Sequence, residues 1–389
     1  MGKFSKQYFI IIIALLFGCS SNKQTNNDLA FIDVTKNYPE KEIMLTDIAD
    51  ITYLCLNSDD DDYLYKGRIH CITANTIVIG DDVSGSVLFF AKDGLPKSRF
   101  NRKGQGPGEY INALQVIYDE KEDDVFVLSS RGSNFFLVYS STGEYKRKIM
   151  LPEGTMVQSF HVFDDLSLFV YDGSVERRKF LPLENDSHIE FYDTHFVLIA
   201  KTNGNVLDYV ELSSNNIVLK DEATGTPFAA RRITKCQNGF LLCNPETDTV
   251  YFYSKDKSLI PIIHKTPSIS TLDPMMILNN CADTDRYQFM DLVTIHLGQE
   301  GFPTKFIMRD KKTGEIFHQK IILPDYIGKE FIFSTRLHGD FKDGPYFELD
   351  LLELKQAYRD NKLSGKLKEL VATLNEDEDN NVFVLVDFK

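Results

Sequence analysis

The chain of 389 residues lacks an excess of basic residues. It has 43 Lys and Arg against 57 Asp and Glu, which gives a formal net charge of −14 at pH 7. A nucleic-acid partner requires a basic face that displaces counterions from the phosphates. The charge balance therefore argues against nucleic acid, whereas an acidic surface mainly keeps a protein soluble.

Motifs for catalysis and metal binding are also missing. The eight histidines are scattered without an H-E-x-x-H sequence, and no G-x-S-x-G elbow occurs. The acidic runs at 59–62 and 376–379 lack the spacing of a calcium loop, so solvated loops are expected there. The sequence thus predicts no catalytic residues, no metal ligands and no cofactor.

Paired cysteine spacing is absent as well. Apart from Cys19, the cysteines are Cys55, Cys71, Cys236, Cys243 and Cys281. An odd number without C-x-x-C spacing favours neither a disulfide framework nor a zinc site. We expect them to be small buried hydrophobic residues. Pairing about an Asn238-Gly239 turn would set Cys236 against Leu241.

No apolar run is long enough to span a bilayer. The longest, Tyr8–Phe17, has two lysines ahead of it and is shorter than the roughly 20 residues of a spanning helix. This pattern is typical of a secretory signal, and an uncleaved membrane anchor is the alternative.

The end of this run, "LLFGC", resembles the bacterial lipobox. The resemblance implies a signal peptide over 1–18, a lipidated Cys19, and a flexible tether within 19–41. In lipoproteins of this kind, Ser20 after the lipidated cysteine goes with sorting to the outer membrane. We expect an anchored protein of the cell envelope, with the side of the membrane left open.

What the chain does have is a repeat of paired β-rich runs, each ended by a glycine turn. The clearest copies cover 76–94 and 124–143. Alternating apolar and polar residues indicate half-buried strands, and hairpins of this kind must stack on one another. The pattern predicts an all-β, six-bladed β-propeller with four-stranded antiparallel blades, seven blades being the alternative. The expected blades are 64–112, 113–155, 156–212, 213–270, 271–330, and 331–389 together with 42–63.

The two ends of the propeller domain, 42–389, are predicted to pair. Residues 42–56 form one expected strand and 380–389 another, and their pairing in the last blade would close the ring without an exposed edge. Apolar residues at helical spacing within 348–374 predict a small insertion of two short helices.

The stretch 93–143 resembles one NHL-type propeller repeat. Its blade crossover is formed by Gly104, Gly106, Pro107, Gly108, Glu109 and Tyr110. The mature chain as a whole resembles bacterial six-bladed β-propeller lipoproteins, which are grouped with NHL and TolB-like propellers. We expect the crossover glycines to supply positive φ and Tyr110 to pack between blades.

The same glycine-rich stretch could cradle a phosphate, but no Lys-Ser/Thr step follows it and the downstream segment is rich in strands. Arg102 and Lys103 precede the glycines. They either contact an anionic ligand or form a solvated basic pair.

Two functions remain open from the sequence. The first is a lipid-anchored, non-catalytic binding module for a protein, peptide or glycan, with the membrane reached only through its lipid anchor. The second is a propeller hydrolase or lyase with a metal in the central channel. Fold alone does not decide between them.

Overall fold

The computed structural model describes residues 29–58, 60–130, 133–174, 195–212, 233–236, 238–244, 246–299, 301–334 and 345–389. Within them, six sheets are arranged as the blades of a β-propeller, as predicted. The first strands of successive blades contact one another, so they lie nearest the central axis.

The N-terminal segment holds β1 (Ala30–Asp33), β2 (Glu40–Met44), helix α1 (Leu45–Ile48) and β3 (Ala49–Cys55). Blade 1 comprises β4 (Gly67–Ile72), β5 (Thr76–Asp81), β6 (Val87–Ala91) and β7 (Pro96–Phe100). Blade 2 comprises β8 (Gln115–Asp119), β9 (Asp124–Leu128), β10 (Phe135–Tyr139) and β11 (Tyr145–Met150). Blade 3 comprises β12 (Val157–Val162), β13 (Ser167–Asp172), β14 (Phe196–Ala200) and β15 (Val206–Val210).

Blade 4 comprises β16 (Ile233–Cys236), β17 (Gly239–Cys243), β18 (Thr249–Ser254) and β19 (Leu259–Thr266). Blade 5 comprises β20 (Met276–Asp283), β21 (Tyr287–Thr294), β22 (Thr304–Asp310) and β23 (Ile316–Ile322), to which β24 (Glu330–Phe331) adds a short pairing. Blade 6 contains β25 (Tyr346–Leu349), helices α2 (Leu351–Arg359) and α3 (Gly365–Thr373), and β26 (Val382–Phe388).

Burial along the strands follows their place in each blade. The second strand of blade 2, β9, is buried along its whole length, because both of its faces lie against neighbouring blades. The outermost strand β11 exposes Lys146 and Lys148. Charged side chains on an outer strand discourage pairing with another chain.

The N-terminal segment runs across three blades. β1 pairs in parallel with β19, β2 pairs in parallel with β23, and β3 pairs antiparallel with β26. The predicted pairing of the chain ends is therefore confirmed. The single strand expected over 42–56 is wrong, because β2 ends at Met44 and α1 separates it from β3.

The packed part of the chain also begins earlier than the expected boundary at residue 41. Ile32 of β1 is fully buried, and Ala30 is nearly so, because both side chains lie in a cluster with Ile263 of blade 4. Residues 30–33 thus form a strand of the propeller rather than tether. The signal segment and the proposed lipid site at Cys19 lie outside the described residues.

A buried asparagine joins the two ends of the ring. Asn380 is 3% exposed and precedes β26. Its Nδ2 donates to the carbonyl oxygens of Leu56 and Tyr63, both at 3.1 Å, and its Oδ1 accepts from the backbone N–H of Tyr65 at 3.2 Å. One side chain thus satisfies three backbone groups of the loop that leads into blade 1.

The two predicted helices are confirmed between β25 and β26. Asp350 caps the first of them, α2, by accepting a hydrogen bond from the backbone N–H of Glu353 at 3.0 Å. Leu354 of α2 and Leu367 of α3 are fully buried against the last blade.

A buried ion pair lies within blade 4, and its lysine also reaches blade 5. The Lys265 side chain is 2% exposed, and its Nζ lies 3.0 Å from Asp248 Oδ1 and 3.0 Å from the carbonyl oxygen of Met276. Burial lowers the pKa of Lys265. Burial acts to raise the pKa of Asp248, but hydrogen bonds from Ser268, Ile269 and Lys265 outweigh it, and that pKa is lowered.

We expect Asp248→Asn to reduce the free energy of unfolding by about 3–5 kcal/mol, because it leaves the buried Lys265 ammonium without its counter-charge. The double variant Asp248→Asn with Lys265→Met should recover most of this loss. Urea denaturation followed by circular dichroism measures both. A single variant as stable as the parent would contradict the pairing.

Candidate functional site

A cavity of about 580 Å³ lies at one end of the central axis. It is formed where the first strands of blades 1 to 4 end, and the turns that follow β4, β8, β12 and β16 surround it. Four separate blades therefore supply its walls. Its volume is within the range of ligand-binding pockets.

The inner wall of the cavity is apolar. Ile117, Phe163 and Phe240 are buried there, and the rings of Phe163 and Phe240 stack with centroids 5.8 Å apart. The thiol of Cys236 lies in the same wall. Burial, with a contribution from the charge of Asp283, raises its pKa to about 12, so the thiol stays protonated at neutral pH and is a poor nucleophile.

Glu120 uses its carboxylate to join blade 2 to blade 1. It accepts hydrogen bonds from Thr76 Oγ1 at 2.6 Å, Thr73 Oγ1 at 3.0 Å and Asn75 Nδ2 at 3.2 Å. Burial acts to raise the pKa of Glu120, but these hydrogen bonds outweigh it and the pKa is lowered. The Glu120 carboxylate is therefore charged, and its oxygens already accept hydrogen bonds from the protein.

Two further carboxylates of the lining also have internal partners. Asp119 forms an ion pair with Lys201 of blade 3, with Nζ and Oδ2 2.6 Å apart and both side chains nearly buried. Asp164 Oδ1 accepts from the backbone N–H groups of Leu166 and Ser167 at 2.9 and 2.8 Å. The first links two blades, and the second shapes the turn after β12.

The remaining charged groups of the lining are more open. Lys121 and Asp165 face each other across the gap between blades 2 and 3, with Nζ and Oδ2 2.5 Å apart and side chains 63% and 70% exposed. Blade 4 contributes Lys235 and Lys255. The rim therefore carries positive charge from two blades in a protein that is acidic as a whole.

The loop predicted as a blade crossover lies elsewhere in the fold, between β7 of blade 1 and β8 of blade 2. Tyr110 is fully buried, and its Oη donates to the carbonyl oxygen of Gly85 at 2.8 Å. Tyr139 of blade 2 donates from its Oη to the carbonyl oxygen of Gly108 at 2.8 Å. The loop is thus tied to both blades that it connects.

Only one of the three crossover glycines has the expected backbone conformation. Gly108 has φ +74°, while Gly104 and Gly106 lie outside the left-handed region. At these two positions the carboxylate of Glu109 folds back over the loop and accepts from the Gly106 N–H at 2.8 Å. A Cβ at Gly104 would meet that carboxylate, so close approach favours glycine there. Pro107 lies between Gly106 and Gly108.

Arg102 and Lys103 do not line the cavity. They precede β8, whereas the cavity lies at the far end of that strand. Arg102 Nε donates to the carbonyl oxygen of Gly143 at 2.8 Å, and the Lys103 N–H donates to Asn101 Oδ1 at 2.9 Å. Arg102 therefore helps to hold the crossover against blade 2, and the predicted ligand contact at these two residues stays a prediction.

The five cysteines of the described residues form no disulfide, and all except the half-buried Cys55 are buried, as expected. The pairing expected about Asn238-Gly239 is wrong. Gly239 begins β17 and pairs with Cys236, while Leu241 pairs with Thr234. The turn lies one residue earlier in the chain, and Cys236 and Cys243 still do not face each other.

In the parts of the chain that the structure describes, no group of three or more His, Cys, Asp or Glu side chains is arranged to hold a metal ion. No described helix is long and apolar enough to cross a membrane. His188 and part of the acidic run at 59–62 lie outside the described residues.

The fold and the cavity define a six-bladed β-propeller with a polar-rimmed pocket at one end of its axis. The chain belongs to the family described as "Domain of unknown function (DUF4934)", whose model matches residues 29–387. No curated protein matches the sequence. The grouping with NHL and TolB-like propellers stays a prediction.

Two crystal structures share the fold. One is a protein of Bacteroides fragilis NCTC 9343, provisionally described as exported, with 19% identity, a TM-score of 0.62, and coverage of 92% of this chain and 99% of that chain. The other is a member of the DUF4221 family from Bacteroides vulgatus ATCC 8482, with 12% identity, a TM-score of 0.50, and coverage of 88% and 99%. At these identities the likeness concerns the fold alone.

We expect Gly108→Ala to lower the free energy of unfolding by about 2–3 kcal/mol, from the left-handed backbone and a Cβ only 3.0 Å from the Tyr145 ring. Gly314→Ala is the matched control, since its φ is +75° and nothing lies within 4 Å of the added Cβ. Its cost should be about 1–2 kcal/mol. Equal losses for the two variants in thermal denaturation would count against the Tyr145 contact.

Proposed function

We propose that this chain is a non-catalytic binding module of the cell envelope, which takes part of a protein, peptide or glycan partner into the cavity of blades 1 to 4. The observation that supports it most is the lining itself. Three of its carboxylates have structural partners within the protein, and the described lining residues include no histidine or serine. The described lining therefore has no nucleophile that a neighbouring histidine could activate.

The cavity has room for a segment of a larger partner. Its volume of about 580 Å³ would hold a few residues of a peptide or a short sugar. Turns supply its rim, and turns are the parts of a propeller that vary without disturbing the blades.

The proposed location is outside the cytoplasm, with Cys19 lipidated and the outer membrane as the anchoring membrane. The apolar run Tyr8–Phe17 ahead of Cys19 supports export. A structurally similar propeller, 19% identical, is provisionally described as exported. A lipid anchor would leave the propeller in water while fixing it to the envelope.

The alternative is a propeller hydrolase or lyase with a channel metal. Among the described residues nothing favours it, because His, Cys, Asp and Glu side chains do not gather in threes. Metal analysis of the purified full chain separates the two functions, since a stoichiometric divalent ion would support the enzyme.

A bulky side chain in the cavity tests the binding function. Ala74 is exposed in the first turn of blade 1 and lines the cavity, whereas Val83 is 69% exposed in the next turn, at the other end of β5. We expect Ala74→Trp to abolish capture of the partner from envelope extracts by the immobilised full chain. Val83→Trp should capture as the parent does.

Both variants must melt at the temperature of the parent for this comparison to hold. Undiminished capture by Ala74→Trp would place the binding surface elsewhere, and the absence of any saturable partner in repeated extracts would contradict the binding function.

Lipidation is tested separately by metabolic labelling with a radioactive fatty acid. We expect label in the parent and none in Cys19→Ser, with globomycin causing the unprocessed precursor to accumulate. A parent chain without label would overturn the anchor and leave the cavity argument intact.

A further inference from the structure

The cavity offers a ligand more positive charge than its composition suggests. Four carboxylates line it, but the charges of Asp119 and Glu120 are offset by Lys201 and Lys97, which lie outside the lining at 2.6 and 3.7 Å, and Asp164 accepts hydrogen bonds from its own turn. Their lone pairs hold the blades and turns together. They are poorly placed to accept further hydrogen bonds from a ligand.

Lys255 is the cation that the surrounding turn leaves available. It lies in the turn between β18 and β19, where Asp256 accepts from Ser254 Oγ and Lys257 forms an ion pair with Asp208 at 3.0 Å. The described part of the chain gives the Lys255 ammonium no carboxylate partner, although its side chain lines the cavity.

Lys121 supplies a second cation that a ligand can engage. Its partner Asp165 is exposed, and exposed ion pairs of this kind are weak because water screens them. A carboxylate of the ligand can therefore replace Asp165 at little cost.

The aromatic residues of the cavity favour a peptide over a sugar. The rings of Phe163 and Phe240 stack on each other, which closes one face of each ring to a sugar and leaves the rest of the apolar wall to side chains. The chain also contains no tryptophan. An apolar wall below a cationic rim instead fits a peptide with apolar side chains and an acidic group.

We propose that the ligand of this cavity is an acidic peptide segment, whose carboxylate is bound by Lys255 and Lys121 while its apolar side chains contact the wall of Ile117, Phe163 and Phe240. The inference rests on the proposed binding function and names the class of ligand. With a net charge of −14, the protein as a whole repels anions, so the preference for an anionic ligand must come from the lysines of the rim.

Two peptides that differ in one group test the proposal by isothermal titration calorimetry with the full chain in detergent. One is acetyl-Ala-Phe-Glu-Phe-Ala-amide, and the other has Gln in place of Glu. We expect the acidic peptide to bind about tenfold or more tightly, as for a hydrogen bond to a charged group. Lys255→Gln should remove most of this preference.

Lys257→Gln is the matched control, two residues away in the same turn and paired with Asp208 instead of the cavity. It should leave the preference unchanged. Equal binding of the two peptides, an equal effect of the two lysine variants, or no binding of the acidic peptide would each overturn the proposal.

The outcomes also separate this proposal from the binding function. If both peptides bind equally and Ala74→Trp abolishes binding, the cavity is a binding site and the acidic preference is wrong. If trigalacturonate binds in a Lys255-dependent way and the acidic peptide does not, the ligand is an acidic glycan and the peptide assignment is wrong.

Discussion

The unpaired edge of each innermost strand is the constraint on which the fold depends. A blade buries its other strands between neighbours, but its first strand has a partner on one side only, and buried backbone groups without partners are costly. Side chains of neighbouring blades form hydrogen bonds to these backbone groups. The N–H of Val116 donates to His70 Nδ1 at 3.0 Å. The side-chain amide of Gln115 donates to the carbonyl oxygen of Phe160 and accepts from its N–H.

Hydrogen bonds from the side chains of one blade to the backbone of the next recur around the ring, and they explain the position of the cavity. Gln319 of blade 5 pairs with both backbone groups of Phe333, and Lys265 reaches the carbonyl oxygen of Met276. Beyond the ends of the inner strands, side-chain hydrogen bonds join adjacent blades, such as the one from Thr76 Oγ1 to the Glu120 carboxylate. Since these contacts are made between adjacent blades, the space on the axis stays open and its rim can vary.

The blades could be predicted from the sequence because each is built from local hairpins, whose apolar alternation and glycine turns repeat along the chain. β1 could not, because a four-residue strand that adds in parallel to blade 4 has little local signal. The cavity was missed for a related reason. Lys121 and Lys255 lie in turns of different blades, and only the ring brings them to one rim. Glycine-rich residues 104–108 lie between β7 and β8 and say nothing about the ligand.

The N-terminal segment has a mechanical consequence. β1 and β2 add in parallel to the outer strands of blades 4 and 5 before β3 closes blade 6. A force applied along β1 would load its hydrogen bonds to β19 together, in shear, instead of opening them one at a time. β2 and β3 hold the same segment to two further blades. The N-terminal end is thus fastened to three blades in succession.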